Sequence, residues 1–426
     1  MLGVWLIIYN AIAVPLGLAV IYLGSLFNEK IRTGLRGRRA SWLEINRFHQ
    51  RHHGREVIII HSASLGEYEQ AKPVIRGLKT LRPDYLIVAT FTSPSGFTHA
   101  ERLPEVELQL YLPMDTYFRM RLFLQKMRPA KLIFVTYELW PNLIFNAIRH
   151  HVPTYLMSAR IRENSLKWRP LIRSFFADLY RSLNHIYAIS ENDRRALQKL
   201  IGSVPIKVLN LGDTRYDQVI QRARDRIRLT LPTLLPQRLV LIAGSIWPQD
   251  ARHLIPAGLR LMHHFPQFAM IIAPHEPTAY ALEMFEDSFR HENIREVRLS
   301  AWQAARPELQ VVLVDRVGIL AELYHQSQIA FIGGSFRGSI HNVMEPAVAG
   351  IPVLFGPTYH NSREAGLLLQ EKGGVCCPDA DALYRIIARL ITDPSFYAQT
   401  ASAARGVIIR NLGAAARTVK EILESD

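Results

Sequence analysis

Residues 57–68 read VIIIHSASLGEY. Four apolar residues in a row, bounded by a turn signal, suit a strand buried on both faces. Small residues follow, and Glu67 stands two residues before the amphipathic run EQAKPVIRGLKTLR (69–82). The same order of strand, small-residue turn, acid and helix returns at residues 239–259, LVLIAGSIWPQDARHLIPAGL. Further apolar runs lie at 85–91, 131–137, 154–159, 185–190 and 207–212, and again at 268–276, 311–318, 329–335 and 352–357. Helical patterns separate them. That alternation predicts two α/β halves, each a parallel, doubly wound sheet. The charged stretch 222–238, with Pro232 and Pro236, reads as the link between a domain at 29–221 and a domain at 239–426.

The composition points to an anionic partner. Lys and Arg number 51 against 37 Asp and Glu, a formal charge of +14. Nucleic acid, anionic lipid and a phosphorylated substrate all fit that excess. The two cysteines, Cys376 and Cys377, are adjacent, so they form no disulfide framework, and no Cys/His spacing suggests zinc. A reducing, cytoplasmic setting is expected.

Residues 1–28 carry no charged side chain. About 27 helical residues reach roughly 40 Å, enough to cross a hydrocarbon core of about 30 Å. Trp5, Tyr9 and Tyr22 suit the membrane interfaces. No basic segment precedes the stretch, which argues against a cleaved leader. Lys30, Arg32, Arg36, Arg38 and Arg39 follow it directly. They predict lipid-headgroup contact and a cytoplasmic body. Arg119, Arg121, Lys126, Arg128 and Lys131 are further candidates to meet lipid phosphates, beside the plain alternative of a solvated face.

In open α/β sheets ligands sit beyond the carboxyl ends of the strands. Ser64 and Gly66 let a ligand approach the backbone before Glu67. The bland alternative is that Glu67 complements the helix dipole and that Ser62 and Ser64 form a turn or cap. In FIGGSFRGSIHNVMEPAVAGIPVLFG (331–356), Gly333 and Gly334 precede a helix start, a pattern that binds phosphates. Glu345 lies three residues past Asn342, placed either to take the hydroxyls of a ribose or to complete a capping box. No Walker or GxGxxG pattern is present. Pro274 with His275, and Val317-Gly318-Ile319, end other apolar runs of this half. The DAD at 379–381 reads as a solvated turn.

In order along the chain come HSASLGE, FTSPSGF, YLPMD, ELWPNLI, SARI, AGSIWP, APHE, VDRVGILAELY, GGSF…HNVMEPAVAGIPVLFGP and EAGLL. Together they resemble the 3-deoxy-D-manno-octulosonic acid (Kdo) transferases of lipopolysaccharide synthesis. The resemblance implies an α/β GT-B glycosyltransferase: two Rossmann-like domains facing a cleft, plus an N-terminal membrane-anchor helix. Residues 1–28 would be the anchor, 29–221 the acceptor-binding domain and 239–426 the CMP-sugar donor-binding domain. It implies an inverting transfer from CMP-Kdo to the phosphorylated lipid A precursor, with no metal and no cofactor. Glu67 would be the general base, since an attacking hydroxyl must lose its proton. Ser64, Gly66, Glu138 and Arg160 would lie on the acceptor side. Ser245, Pro274, His275, Val317, Gly318, Ile319, Gly334, Ser335, Asn342, Val343, Met344 and Glu345 would bind the donor. Many members read A-P-R-H where this chain has APHE, and G-S-T-H where it has GSIW. Arg215 is the candidate to replace the basic contact so lost. The expected location is the inner membrane, with anionic lipids as partners and no nucleic acid. Two alternatives stay open: another GT-B enzyme using a UDP-sugar, whether transferase or epimerase, and a membrane-tethered basic protein binding nucleic acid or anionic lipid.

Overall fold

A computed structural model describes residues 2–52, 54–161, 165–204, 206–226, 231–303 and 308–425. The chain divides into two compact units, one of residues 1–218 with 412–426 and one of residues 219–411.

Each unit is built on a seven-stranded, all-parallel sheet. The first contains β1 (Val57–Ser62), β2 (Leu86–Phe91), β3 (Val106–Tyr111), β4 (Pro129–Val135), β5 (Thr154–Ala159), β6 (His185–Ala188) and β7 (Lys207–Asn210). Their spatial order is 3-2-1-4-5-6-7. The second contains β8 (Leu239–Ile246), β9 (Phe268–Pro274), β10 (Glu296–Arg298), β11 (Val311–Leu313), β12 (Ile329–Ile332), β13 (Val353–Phe355) and β14 (Gly374–Cys376), in the order 10-11-9-8-12-13-14. β8 lies at the centre of its sheet and β1 one place from the centre of its own, and each is where the strand order reverses. That switch point is where open α/β sheets bind ligands. The central strands are buried end to end, as covering both faces with helices requires.

The expected α/β class and the paired sheets are present. Three strands were not anticipated: β3, β10 and β14. All three are edge strands. An edge strand is buried on fewer sides, so its sequence carries less apolar signal. The stretch 222–238 is helical as far as Arg226, in the helix Arg215–Arg226, and residues 227–230 lie outside the described residues. Residues 412–426, assigned on sequence to the second domain, belong to the first unit. Their helix Ala414–Glu424 buries Ala415, Val419 and Ile422 in the apolar cluster that also holds Tyr68, Val74 and Leu78 of helix Leu65–Leu81.

Residues 2–27 form one helical run, with a wide π turn at Tyr9–Ala13. Gly3–Phe27 is long and apolar enough to cross a membrane. Val4, Ile7, Ile12, Leu16, Val20, Leu23, Leu26 and Phe27 are exposed along it. Two polar side chains at the π turn tie the helix to the first unit. Tyr9 Oη donates to Asp115 Oδ2 at 3.0 Å, and Asn10 and Asn142 exchange amide hydrogen bonds of 2.8 and 3.0 Å.

Two of the basic residues expected at lipid are engaged inside the protein. Lys131 is 2% exposed, and its Nζ donates to Tyr155 Oη at 3.4 Å. Arg38, on helix Glu29–Arg51, donates to the carbonyls of Gly34, Thr92 and Leu112. Lys30, Arg32, Arg36, Arg39, Arg119, Arg121 and Arg128 are exposed, and Lys126 is half-buried.

Candidate active site

In the first unit a cavity of about 540 Å³ opens at the carboxyl ends of β1, β4 and β5. Glu67 is on its wall. The residue is third in helix Leu65–Leu81, and its Oε2 accepts from the Ala63 N–H. The dipole-end role and the cavity-facing role therefore coexist. Glu67 is 5% exposed, and burial pushes its pKa up to about 7, against the lowering pull of the Ala63 N–H. The nearby Glu138 charge adds to the rise. Glu138 is itself raised by burial, held back by a hydrogen bond from Thr92 and by the Arg38 charge.

Of the other expected acceptor-side residues, Ser64, Gly66 and Arg160 line this cavity. Arg215, expected at the donor, lines it too. Its guanidinium is clasped by Asp213, with Nη2 donating to Oδ2 at 2.6 Å and Nε to Oδ1 at 3.1 Å. Thr136 and Ser158 also line it, with φ of +67° and +52°. Left-handed backbone is uncommon outside glycine, and each such residue costs about 1–3 kcal/mol. Strain of this kind gathers at functional sites.

Beneath the loop His61 is fully buried, and burial takes its pKa down to about 3, so the ring is neutral. Trp140 Nε1 donates to its Nε2 at 3.1 Å, which leaves Nδ1 to donate to Thr90 Oγ1 at 3.0 Å. This ring braces the β1 end.

The second unit repeats the arrangement. Ser245, at the end of β8, has φ of +58°. Asp250 is third in helix Pro248–His264 and wholly buried. Its carboxylate accepts from the N–H groups of Trp247, Gly334 and Phe336, at 3.0, 2.7 and 3.1 Å. It thereby ties the β8 loop to the β12 loop. Gly333 is required there, because a Cβ would lie 2.2 Å from the Ser245 carbonyl oxygen.

His275 follows Pro274 and is not solitary. Its ring stacks against both Trp247 and His341, with each centroid distance 4.4 Å. Trp247 Nε1 donates to His341 Nε2 at 2.9 Å. The Arg337 guanidinium lies 3.5 Å over the Trp247 ring. Burial, with His275 alongside, lowers the His341 pKa, so the stack favours neutral imidazole.

Asn342 Oδ1 accepts from the Met344 N–H at 3.0 Å, and Val343 holds the N-cap position. Glu345 pairs with Arg222 at 3.1 Å. Helix Met344–Ala349 has only six residues, so any anion there depends on loop N–H groups more than on a dipole. Val343 and Met344 are buried. Ser335 is buried too. Its hydroxyl donates to the Ile332 carbonyl and accepts from the Gly356 N–H, so it holds the loop and is not offered to a ligand. Gly334 adopts φ of +86° and Gly318 φ of +91°, while Val317 is 76% exposed and Ile319 caps helix Leu320–Tyr324.

Sequence reasoning missed Lys167, Tyr137 and Asp213 in the first cavity, and Trp247, Arg337 and His341 in the second unit. Asp250 alone left a signal, as the acid of the repeated strand-turn-acid-helix order.

Two parallel Rossmann-like sheets, each with its polar loops at the strand ends, make up the GT-B architecture. Residues 39–218 match the family described as 3-deoxy-D-manno-octulosonic-acid transferase (kdotransferase). The Kdo transferase of Haemophilus influenzae is 27% identical over 365 residues, 84% of this chain and 85% of that protein. A probable mitochondrial Kdo transferase of Arabidopsis thaliana is 30% identical over 310 residues, 70% of this chain and 68% of that protein. Among solved structures, UDP-GlcNAc 2-epimerase from Neisseria meningitidis superposes with a TM-score of 0.61 at 15% identity, covering 87% of this chain and 100% of that one. That likeness concerns the fold alone. The chain belongs to the Kdo transferase family, glycosyltransferases of lipopolysaccharide synthesis.

Proposed function

We propose that the protein moves Kdo from CMP-Kdo to a hydroxyl of the phosphorylated lipid A precursor, at the cytoplasmic face of the inner membrane. The observation that carries this reading is the Glu67 carboxylate: buried, on the wall of a cavity in the first unit, with a pKa near 7. A general base works best with a pKa near the operating pH. The acceptor oxygen attacks the anomeric carbon of Kdo, and its proton passes to Glu67. The bond from that carbon to the CMP phosphate breaks, and CMP leaves with the electron pair. One displacement from the opposite face inverts the centre.

The second unit is the donor side in this reading. Loop N–H groups around Gly334 to Asn342 meet the phosphate, and Glu345 accepts from the ribose. Arg337, held on Trp247, is a second candidate besides Arg215 for the basic contact that APHE and GSIW lack. The apolar helix Gly3–Phe27 and the exposed Lys30, Arg36 and Arg39 behind it suit an acceptor embedded in an anionic leaflet.

The test is CMP release from CMP-Kdo with and without lipid A precursor, beside parallel reactions with UDP-sugars. Acceptor-dependent CMP release is expected. Turnover of a UDP-sugar alone would reject the reading in favour of the epimerase-like alternative.

A further inference from the structure

Lys167 is a charge with no assigned task. Its Nζ lies 4.9, 5.5 and 5.6 Å from the ring centres of Tyr180, Phe176 and Tyr137. It donates to Tyr180 Oη at 2.6 Å and to the Tyr137 carbonyl oxygen at 3.4 Å. Among the described residues no carboxylate comes within ion-pair distance of it. Burying an ammonium without a counter-charge is costly, and burial takes the Lys167 pKa down to about 8. Aromatic faces offset part of that cost.

The group lines the same cavity as Glu67. So do two other cations. Arg215 is neutralised by Asp213, whereas Arg160 has no partner among the described residues. Among the described residues the cavity therefore holds two uncompensated positive groups beside one carboxylate whose raised pKa keeps it partly neutral at pH 7. A dianion restores the balance, and a monoanion only half of it.

Resting on the reading of this cavity as the acceptor site, we propose that Lys167 and Arg160 form an oxyanion subsite for a phosphomonoester on the acceptor sugar. Binding there seats the sugar so that a neighbouring hydroxyl faces Glu67. The aromatic collar keeps the ammonium in place and partly dehydrated, which strengthens its bond to phosphate. A protein carboxylate in the same position would occupy the subsite permanently.

Two measurements test this. The first compares kcat/KM on phosphorylated and dephosphorylated acceptor, in the full-length protein and in Lys167→Met, which keeps the apolar stem in the collar. The ratio is expected to fall about tenfold to a hundredfold in the variant, the effect of losing one charge-assisted hydrogen bond. Lys167→Arg should recover most of it. A ratio equal to the parent's overturns the proposal and leaves Lys167 a packing residue. The second needs no turnover. Inorganic phosphate, against chloride at matched ionic strength, should raise the melting temperature of the parent more than that of Lys167→Met. Equal shifts overturn the proposal. If the parent releases no CMP with lipid A precursor, the assigned reaction is wrong, and the phosphate melt still decides the subsite.

Discussion

Glu67 and Asp250 hold the same place in two different helices. Each is third in the helix after the first strand of its sheet, and each accepts a backbone N–H from the turn before it. They differ in what is left over. Asp250 is wholly buried and takes three N–H groups, two of them from the neighbouring loop. Those bonds join two loops and leave it structural. Glu67 has less compensation, sits at a cavity, and is pushed up to about 7 by burial. One local design thus yields a fastener in one unit and a titrating group in the other.

Glu67→Gln should lower turnover by about 10²- to 10⁴-fold, the usual worth of a general base. Its pH profile follows. The base acts when deprotonated, so kcat/KM of the parent should climb with pH up to about 7 and then level. Stability moves the other way. The folded-state pKa is raised, so the unfolded chain releases this proton at lower pH, and folding weakens as pH rises from about 4.5 to about 7. Gln removes that slope, and urea midpoints at pH 5 and pH 8 would read it. A variant with more than about a tenth of parental turnover would refute the assignment.

Glu345→Gln should weaken CMP binding about ten- to a hundredfold, the loss of a charged acceptor to ribose hydroxyls. The pairing with Arg222 offers a competing cause. Arg222→Met separates them. If calorimetry with CMP shows the same loss in both variants, the ion pair alone accounts for it and the ribose role is withdrawn.

Arg337→Met should raise the KM for the donor about tenfold while the melting temperature stays within a degree or two. The side chain is exposed, and its ring contact is worth about 0.5–1 kcal/mol at such sites. Trp247→Ala removes the platform under it and the bond to His341, so it should lose donor affinity and stability together. An unchanged donor KM in Arg337→Met would return the basic contact to Arg215.

Replacing Lys30, Arg36 and Arg39 by Gln should weaken attachment to anionic vesicles, more so at low salt. Each basic group near such a surface is worth about 1 kcal/mol. Arg38 is left out because its guanidinium is spent on carbonyls of the first unit. Co-sedimentation of a form lacking residues 1–27, with and without the three changes, measures the effect. Equal binding to anionic vesicles would dismiss the headgroup role.

The central strands were legible because burial on both faces leaves uninterrupted apolar runs, as in VIII and YLIVATF. β3, β10 and β14 were not, since an edge strand such as VELQLY can alternate with polar residues and still pair. Glu67 was legible as an acid after a strand and a small-residue turn. Lys167 was not, because only the fold brings Tyr137, from the loop after β4, to the Phe176 and Tyr180 rings of helix Pro170–Arg181 around it. Lys131 misled for the opposite reason. It sits at the start of an apolar run, and only the folded sheet shows that its charge is turned inward.

The return of residues 412–426 to the first unit sets the order in which the protein can be completed at the ribosome. Ala415, Val419 and Ile422 cover an apolar face of helix Leu65–Leu81. That face is made early and stays uncovered until residues 412–426 emerge. At about 5–20 residues per second, synthesis of residues 219–411 takes on the order of 10–40 s. During that interval the nascent chain carries an unfinished core, and termination before residue 412 would damage the domain encoded first.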